Sequence, residues 1–239
     1  MDTPQHQNSH LIFDRELIAR RRQRAQSQGE LSFLLTRCAE DAAERLLDIN
    51  REFRRALIIG DVRASKMIID ALPKGKIAEI EFADHLPHDV GDVRAIDEER
   101  LPYAAPQFDL IISLLTLHHC NDLPGALAQL RRALHPDGVF IASIFGGQTL
   151  TELRGALYAA ETEIYGGITP RVAPFADYSQ AAALLQRTGY ALPVVDSDRV
   201  TVNYANPMRL LSDLRDLGET NALTQRSRAP ISKRFLMAL

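Results

Sequence analysis

The chain changes its hydrophobic pattern near residue 51. Before this point apolar positions recur at helical spacing, which predicts one helix over residues 11–28 and a second over residues 31–49. After it, short apolar runs alternate with helical segments, which is typical of a parallel β-sheet covered by helices. We therefore expect a disordered lead over residues 1–10, an N-terminal helical extension over residues 11–50 and an α/β domain over residues 51–239.

Five apolar runs are predicted to form a doubly wound, mainly parallel sheet. In chain order they are ALIIG (56–60), KIAEIEFA (76–83), DVRAI (92–96), FDLIISLLTL (108–117) and VFIASIF (139–145). The segment VTVNY (200–204) predicts a later, antiparallel strand. Asn121 or Asp122 is expected to cap the helix after the fourth strand, and Gly218 to end a helix over residues 206–218.

Candidate binding residues follow the strands, because ligands of doubly wound sheets bind beyond the carboxyl ends. Gly60 and Asp61 follow the first strand, Asp84 the second and Asp97 the third. A carboxylate after the second strand can accept both ribose hydroxyls of a nucleoside, and one after the third can accept an adenine amino group. On spacing alone, Asp84 and Asp97 are equally well explained as ordinary loop carboxylates.

Two histidines, His118 and His119, end the fourth strand and are weak candidates for a catalytic base. The favoured interpretation makes them wall residues of the strand end. We find no metal-ligand spacing in the sequence, so the site prediction contains no metal.

Composition narrows the class of protein. Net charge is −3 over 239 residues, with 46% hydrophobic positions, which describes an ordinary globular chain and gives no reason to expect nucleic-acid binding. Two cysteines without metal spacing favour a reducing cytoplasm, and no apolar run is long enough for a membrane span. A cluster of arginines predicts a solvated helical face or, alternatively, a docking surface for an acidic partner or a membrane surface: Arg20, Arg21, Arg22 and Arg24.

A longer run, residues 97–143, resembles the class I S-adenosylmethionine-dependent methyltransferases. It has an Asp four residues before Leu-Pro, a strand opened by Phe-Asp and a Pro-Asp-Gly turn, in that order. Further segments resemble the complex I assembly factor 5 group, which mitochondria and bacteria share: IFDRELIARRRQRA, IFGGQTLTELRGAL, AETEIYGGITPRVAPF and VTVNYANPMRLLSDLRDLGETNAL. The malonyl-carrier-protein methyltransferase of biotin synthesis is a more distant resemblance.

The resemblance implies a Rossmann-like class I methyltransferase fold, S-adenosylmethionine as cofactor and a protein substrate, with a complex I subunit as the expected partner. In the mitochondrial member it implies hydroxylation of an arginine. The expected enzyme is a methyltransferase or arginine hydroxylase; the alternative is a non-catalytic assembly factor or chaperone that keeps the fold. A nicotinamide dehydrogenase is excluded, since no G-x-G-x-x-G follows the first strand.

The chain departs from this family at two places. The family's first motif, Asp-Leu-Gly-Cys-Gly-x-Gly, corresponds to residues 58–64 and retains only Gly60. Ile58 replaces the acid, while Val62 is expected to crowd the ligand and Asp61 to supply a displaced carboxylate, so we expect weak binding of the cofactor. The family's last strand follows the segment matching residues 231–239, and its absence predicts an open sheet edge and self-association.

Overall fold

A computed structural model describes residues 11–28, 30–85 and 92–238; the predicted lead over residues 1–10 lies outside these ranges. The helices are α1 (Arg15–Gln28), α2 (Phe33–Asp48), α3 (Val62–Ala71), α4 (Leu123–Ala133), α5 (Thr151–Tyr165), α6 (Tyr178–Arg187), α7 (Pro207–Asp216) and α8 (Lys233–Ala238). The strands are β1 (Phe53–Ile59), β2 (Ile77–Asp84), β3 (Val93–Ala95), β4 (Phe108–Leu114) and β5 (Leu134–Ser143). In these ranges no helix has the length and apolar character of a bilayer span.

The five strands form one sheet in the order β3-β2-β1-β4-β5, and every neighbouring pair is parallel. This confirms the predicted parallel sheet with β1 at its centre, where Ile58 pairs with Phe82 on one side and Ile112 on the other. The order reverses between β1 and β4, and a doubly wound sheet forms its ligand crevice at such a switch point. Among the described strands β5 is an edge, so self-association there stays a prediction.

Alternation along β1 divides the core between the two faces of the sheet. Ala56 and Ile58 face α2 and α3, whereas Leu57 and Ile59 face α4, and all four are completely buried. A strand with both faces covered consists of consecutive apolar residues, which is why this run could be recognised from the sequence. Asp122 caps α4 by accepting a hydrogen bond from Gly125 N at 2.9 Å, as predicted.

The strand predicted over residues 200–204 is wrong, since these residues form no strand. The preceding stretch is tied to α2 by two ion pairs, Arg37–Asp198 at 2.5 Å and Arg45–Asp196 at 2.7 Å. Val200 and Val202 are each 40% exposed. The β-branched pattern was correct for a strand, but a strand also requires a partner for its backbone groups, and in the described structure this segment lies outside the sheet.

Candidate functional site

The first strand ends in a tight turn that only glycine fits. Gly60 has a φ of +129°, and its N–H donates to the Ala83 carbonyl at 2.9 Å. A Cβ at this position would lie 2.8 Å from the Leu114 carbonyl oxygen, which no side chain tolerates. Gly60 therefore brings the carboxyl ends of β1 and β4 together, and the retained glycine has a structural reason.

Asp61 is the N-cap residue of α3, and its carboxylate already has partners there. Its carboxylate accepts from Arg63 N at 2.9 Å as the helix N-cap and pairs with the Arg63 guanidinium at 2.7 Å. Val62 is the first helical residue, is buried and does not line the cleft, and the expectation that it crowds the ligand stays a prediction. Arg63 lines it instead, so the residue facing a ligand is a cation that already has Asp61 as partner.

Asp84 ends β2 and is 4% exposed. Its Oδ2 accepts a hydrogen bond of 2.8 Å from the Gln26 amide of α1, and its Oδ1 accepts from His85 N at 2.7 Å. Gly60, Asp61 and Asp84 line one cleft, and α1 forms its other wall through Arg22 and Gln26. The cleft has a free volume of about 20 Å³, which is room for about one water molecule.

Asp97 lies outside that cleft and makes a separate contact with α1. Its carboxylate is 36% exposed and 3.2 Å from Arg15, which also pairs with the buried Glu98 and lies 3.4 Å from Glu99. Burial alone raises the pKa of Glu98, but the hydrogen bond from His85 and the Arg15 charge outweigh it and lower the pKa to about 2. The two carboxylates predicted to hold a nucleoside are thus both held by α1 side chains.

The two histidines are presented by an irregular end of β4. Leu115 has a φ of +51°, a strained value for a leucine, and the chain then forms a 3₁₀ turn over Leu117–His119. Both imidazoles are buried, with His118 against Phe145 at a ring-centroid distance of 4.7 Å and His119 against Phe13 at 5.3 Å. Both rings are packed at the end of the strand, and their role as a catalytic base stays a prediction. They also meet a carboxylate that sequence reasoning missed.

That carboxylate is Glu219. Its Oε2 lies 3.3 Å from His118 Nε2 and 3.2 Å from His119 Nε2, and its Oε1 accepts from Arg22 Nη2 at 2.8 Å. Burial lowers the pKa of both histidines, so they are neutral at pH 7. Burial raises the pKa of Glu219, but the histidines and Arg22 outweigh it and hold the carboxyl ionised.

Glu219 reaches this position because α7 ends against α1. Gly218 has a φ of +80°, and a Cβ there would lie 2.9 Å from Arg22 Cγ and 3.0 Å from Arg22 Cα. No spacing in the sequence signals the contact, since Glu219 is 101 positions from His118. The glycine that ends α7 was predicted, but its close approach to another helix depends on tertiary packing.

The predicted arginine cluster does not form one surface. Arg22 is turned inward to Glu219 and the Leu115 carbonyl, and its side chain is 13% exposed. Arg21 donates to the carbonyls of Thr220 and Asn221 at 2.8 and 2.7 Å. Only Arg20 and Arg24 of the four are exposed. Helical spacing alone places residues 21 and 22 on a different face from residues 20 and 24, and the inner pair clamps the segment after α7.

The central five-stranded parallel sheet, with a cleft where its strand order reverses, defines a Rossmann-like fold of the class I methyltransferase type. A family model described as a methyltransferase domain matches residues 72–142. The zebrafish (Danio rerio) protein "Arginine-hydroxylase NDUFAF5, mitochondrial" is 35% identical over 225 residues, which cover 90% of this chain and 70% of that protein. The chain therefore belongs to the class I S-adenosylmethionine-dependent methyltransferases, in the group that contains NDUFAF5.

Two further relatives agree with this placement. Mouse (Mus musculus) NDUFAF5 is 40% identical over 220 residues; the match covers 88% of this chain but spans 64% of the mouse protein. The malonyl-[acyl-carrier protein] O-methyltransferase of Halorhodospira halophila is 32% identical over 220 residues, covering 87% of this chain and 72% of that protein. The predicted family resemblance is confirmed.

Proposed function

We propose that this protein binds S-adenosylmethionine in the cleft between β1, β2 and α1 and acts on a protein substrate. The position of Asp84 is the observation that supports this most. It is a buried carboxylate at the carboxyl end of β2, in the same cleft as Gly60 at the end of β1. A carboxylate there accepts the two ribose hydroxyls, and Asp97 accepts the adenine amino group once Arg15 yields it.

Binding is expected to be weak, because the groups that would hold the cofactor already have partners. Asp61 is paired with Arg63 and cannot hold the methionine ammonium without losing that pair. Gln26 occupies Asp84 Oδ2, and the free volume of about 20 Å³ is far too small for a nucleoside. The cofactor must therefore displace the Gln26 end of α1, which subtracts from its affinity.

The proposed substrate is a protein arginine, in the assembly of respiratory complex I, with the protein acting in the cytoplasm. The support is the family: two NDUFAF5 proteins that match most of this chain are described as arginine-hydroxylases. The free thiols of Cys38 and Cys120 are consistent with a reducing compartment. The mass added to the substrate arginine distinguishes methylation from hydroxylation.

A non-catalytic assembly factor is the second candidate, and the occupied carboxylates favour it. A fold whose nucleoside acceptors are both satisfied by its own helix α1 can persist without a ligand. An enzyme modifies an arginine of its substrate, whereas an assembly factor leaves that arginine unmodified. The two functions can therefore be distinguished by experiment.

The test has two stages. Native mass spectrometry of the protein with added S-adenosylmethionine should show one bound cofactor, and Asp84→Asn should reduce the bound fraction. Incubation with complex I subunits and S-adenosylmethionine should then add a methyl group to one arginine, with S-adenosylhomocysteine released. Incubation with dioxygen and a two-electron reductant should instead add one oxygen atom, with the second oxygen released as water. Cofactor binding without any substrate modification favours the assembly factor, and absence of binding rejects the proposed cofactor site.

A further inference from the structure

The two edges of the described sheet differ in how well they are protected against further pairing. β3 forms one edge with only three residues, and its Arg94 pairs with Glu81 at 3.2 Å. A short edge strand with a charged side chain is a poor template for another strand. β5 forms the other edge with ten residues, and its segment VFIAS (139–143) has neither a charge nor a proline. The β5 edge therefore lacks the usual protection.

The outer side of β5 presents backbone groups that have no partner among the described residues. The Ser143 carbonyl accepts a hydrogen bond from Leu115 N at 2.9 Å, so the backbone of Ser143 faces β4. Along a strand the N–H and C=O groups of successive residues point to opposite sides, which directs those of Phe140 and Ala142 away from the sheet. β4 is largely buried, whereas no residue of the segment 139–143 is fully buried. An apolar, partly exposed edge of this kind is a template for an added strand.

The segment 191–205 has the complementary deficiency. Its backbone groups form no hydrogen bond with any other residue that the structure describes. Within it, Val200, Val202 and Tyr204 alternate with Thr201 and Asn203, which is the pattern of a strand with one apolar face. Val200 and Val202 are each 40% exposed. This segment therefore has the composition of a strand and backbone groups available for pairing.

Exposed ion pairs hold the segment on its own molecule. Asp198 pairs with Arg37 at 2.5 Å and Asp196 with Arg45 at 2.7 Å, and the four side chains are 41–69% exposed. Both arginines belong to α2, which covers one face of the sheet and does not extend its plane. The contacts thus place the segment beside the sheet without pairing it to β5. Ion pairs this exposed contribute little to stability, so they do not prevent the following residues from pairing elsewhere.

We propose that residues 200–204 of one copy of this chain pair with the β5 edge of a second copy, and that the reciprocal contact closes a two-fold symmetric dimer. Each chain carries one edge that accepts a strand and one segment that can supply it, so two copies satisfy each other and leave neither group over. The segments 139–143 and 200–204 are both uncharged, so no like-charge repulsion opposes their pairing. The dimer does not depend on whether S-adenosylmethionine binds.

The side chains of the two segments also match. Neighbouring strands place their side chains on common faces of the sheet, with alternate residues on the same face. Val139 and Ile141 of β5 pack on the face that α2 and α3 cover. Val200 and Val202 of the second copy would extend this apolar face and lose their exposure to water. Burial of apolar surface is the favourable term that holds such a dimer together.

Sedimentation velocity of the full chain tests whether the dimer exists and which residues form it. The unmodified protein should show a concentration-dependent species of twice the mass of one chain. Adjacent residues direct their N–H groups to opposite sides, so Thr201→Pro/Val202→Pro removes a donor whichever side faces β5. This variant should raise the dissociation constant of the dimer at least about tenfold.

Val194→Pro/Val195→Pro is the matched control, since it makes the same change in the same segment but outside residues 200–204. Its dissociation constant should equal that of the unmodified protein, and circular dichroism verifies the fold of both variants. A protein that stays monomeric at every concentration, or an equal effect of the two double substitutions, overturns the proposal.

Cross-linking then separates pairing between copies from pairing within one chain. Ala142→Cys/Thr201→Cys is prepared with natural and with ¹⁵N isotopes, and the two preparations are mixed while dilute, concentrated and treated with a short bis-maleimide. Links between residues 142 and 201 should join a light peptide to a heavy one, and the unmodified protein, with Cys38 and Cys120, is the blank. Links confined to peptides of one isotope would show that the segment pairs with its own β5. That result, or the absence of any link between the two positions, overturns the proposal.

Discussion

The Gln26 amide donates a 2.8 Å hydrogen bond to Asp84 Oδ2, so the N-terminal helix α1 occupies the carboxylate proposed to hold the cofactor ribose. Arg15, three turns earlier on the same helix, contacts Asp97 at 3.2 Å. The helix therefore satisfies both acceptors while no nucleoside is bound. Because a buried carboxylate without a donor is costly, this contact stabilises the ligand-free fold and competes with the ligand.

Removing the competitor should tighten cofactor binding. In Gln26→Ala, Asp84 loses a donor that the ribose hydroxyls would otherwise have to replace, and a hydrogen bond to a charged group contributes about 1.5–3 kcal/mol. We expect S-adenosylmethionine to bind about tenfold more tightly, measured by calorimetry. Ser27→Ala is the control, since Ser27 lies on the exposed side of the same helix. Equal affinities for Gln26→Ala and the unmodified protein would show that α1 does not compete.

Restoring the family's acid at position 58 should damage the protein rather than repair it. Ile58 is completely buried in β1 between β2 and β4 and packs against α2 and α3. A carboxylate there would be buried without a partner, which costs several kcal/mol. Urea unfolding should show Ile58→Asp destabilised by more than about 3 kcal/mol and Ile58→Val by only about 1 kcal/mol. An Ile58→Asp variant as stable as Ile58→Val would mean that this position reaches the cleft.

Gly218 should be far less tolerant of alanine than another left-handed glycine. At Gly218 the new methyl group would meet Arg22 at 2.9 Å in addition to the backbone strain at φ +80°, whereas Gly166 has φ +67° and nothing within 4 Å. Gly166→Ala should cost about 1–2 kcal/mol, the strain alone. Gly218→Ala should cost clearly more, in the same urea titration. Equal losses of unfolding free energy at both positions would show that α7 does not pack closely on α1 at Gly218.

The contribution of the Arg15–Glu98 ion pair to the unfolding free energy should decrease at acid pH. The folded pKa of Glu98 is about 2, below its ordinary 4.5, so its contribution is fully present above the unfolded pKa and is lost as pH falls from about 5 to 2. Arg15 and His85 lie next to the Glu98 carboxylate, and Arg15 is also close to Asp97 and Glu99. The difference in unfolding free energy between Glu98→Gln and the unmodified protein should therefore be large at pH 7 and shrink toward pH 3. The exposed Glu79→Gln is the control, and a pH-independent difference for Glu98→Gln would contradict this.

The strands, and the residues that follow them, could be predicted from the sequence because hydrophobic periodicity and local geometry determine them. The consecutive apolar residues of β1 and β4 favoured doubly covered strands, and Gly60, Asp61 and Asp84 lie at the carboxyl ends where they were expected. The family was recognised from motifs spread over most of the chain. These features are local, so they can be deduced without tertiary contacts.

Contacts between distant segments could not be predicted in this way. Glu219 meets His118 across 101 positions and Gln26 meets Asp84 across 58 positions, and neither pair has a spacing signature. Val200–Tyr204 has strand composition but has no partner strand in the part of the chain that the structure describes. Arg21 and Arg22 resemble surface residues by charge, and only packing against the segment after α7 turns them inward.

The central claim is that Asp84 belongs to an S-adenosylmethionine site that α1 partly occupies. Calorimetric titration of S-adenosylmethionine into the unmodified protein and Asp84→Asn tests it most directly. We predict weak binding to the unmodified protein, in the range of tens of micromolar or above, and at least a tenfold loss in Asp84→Asn, since one hydrogen bond to a charged group is weakened. Submicromolar binding, or an affinity that Asp84→Asn leaves unchanged, would contradict the account.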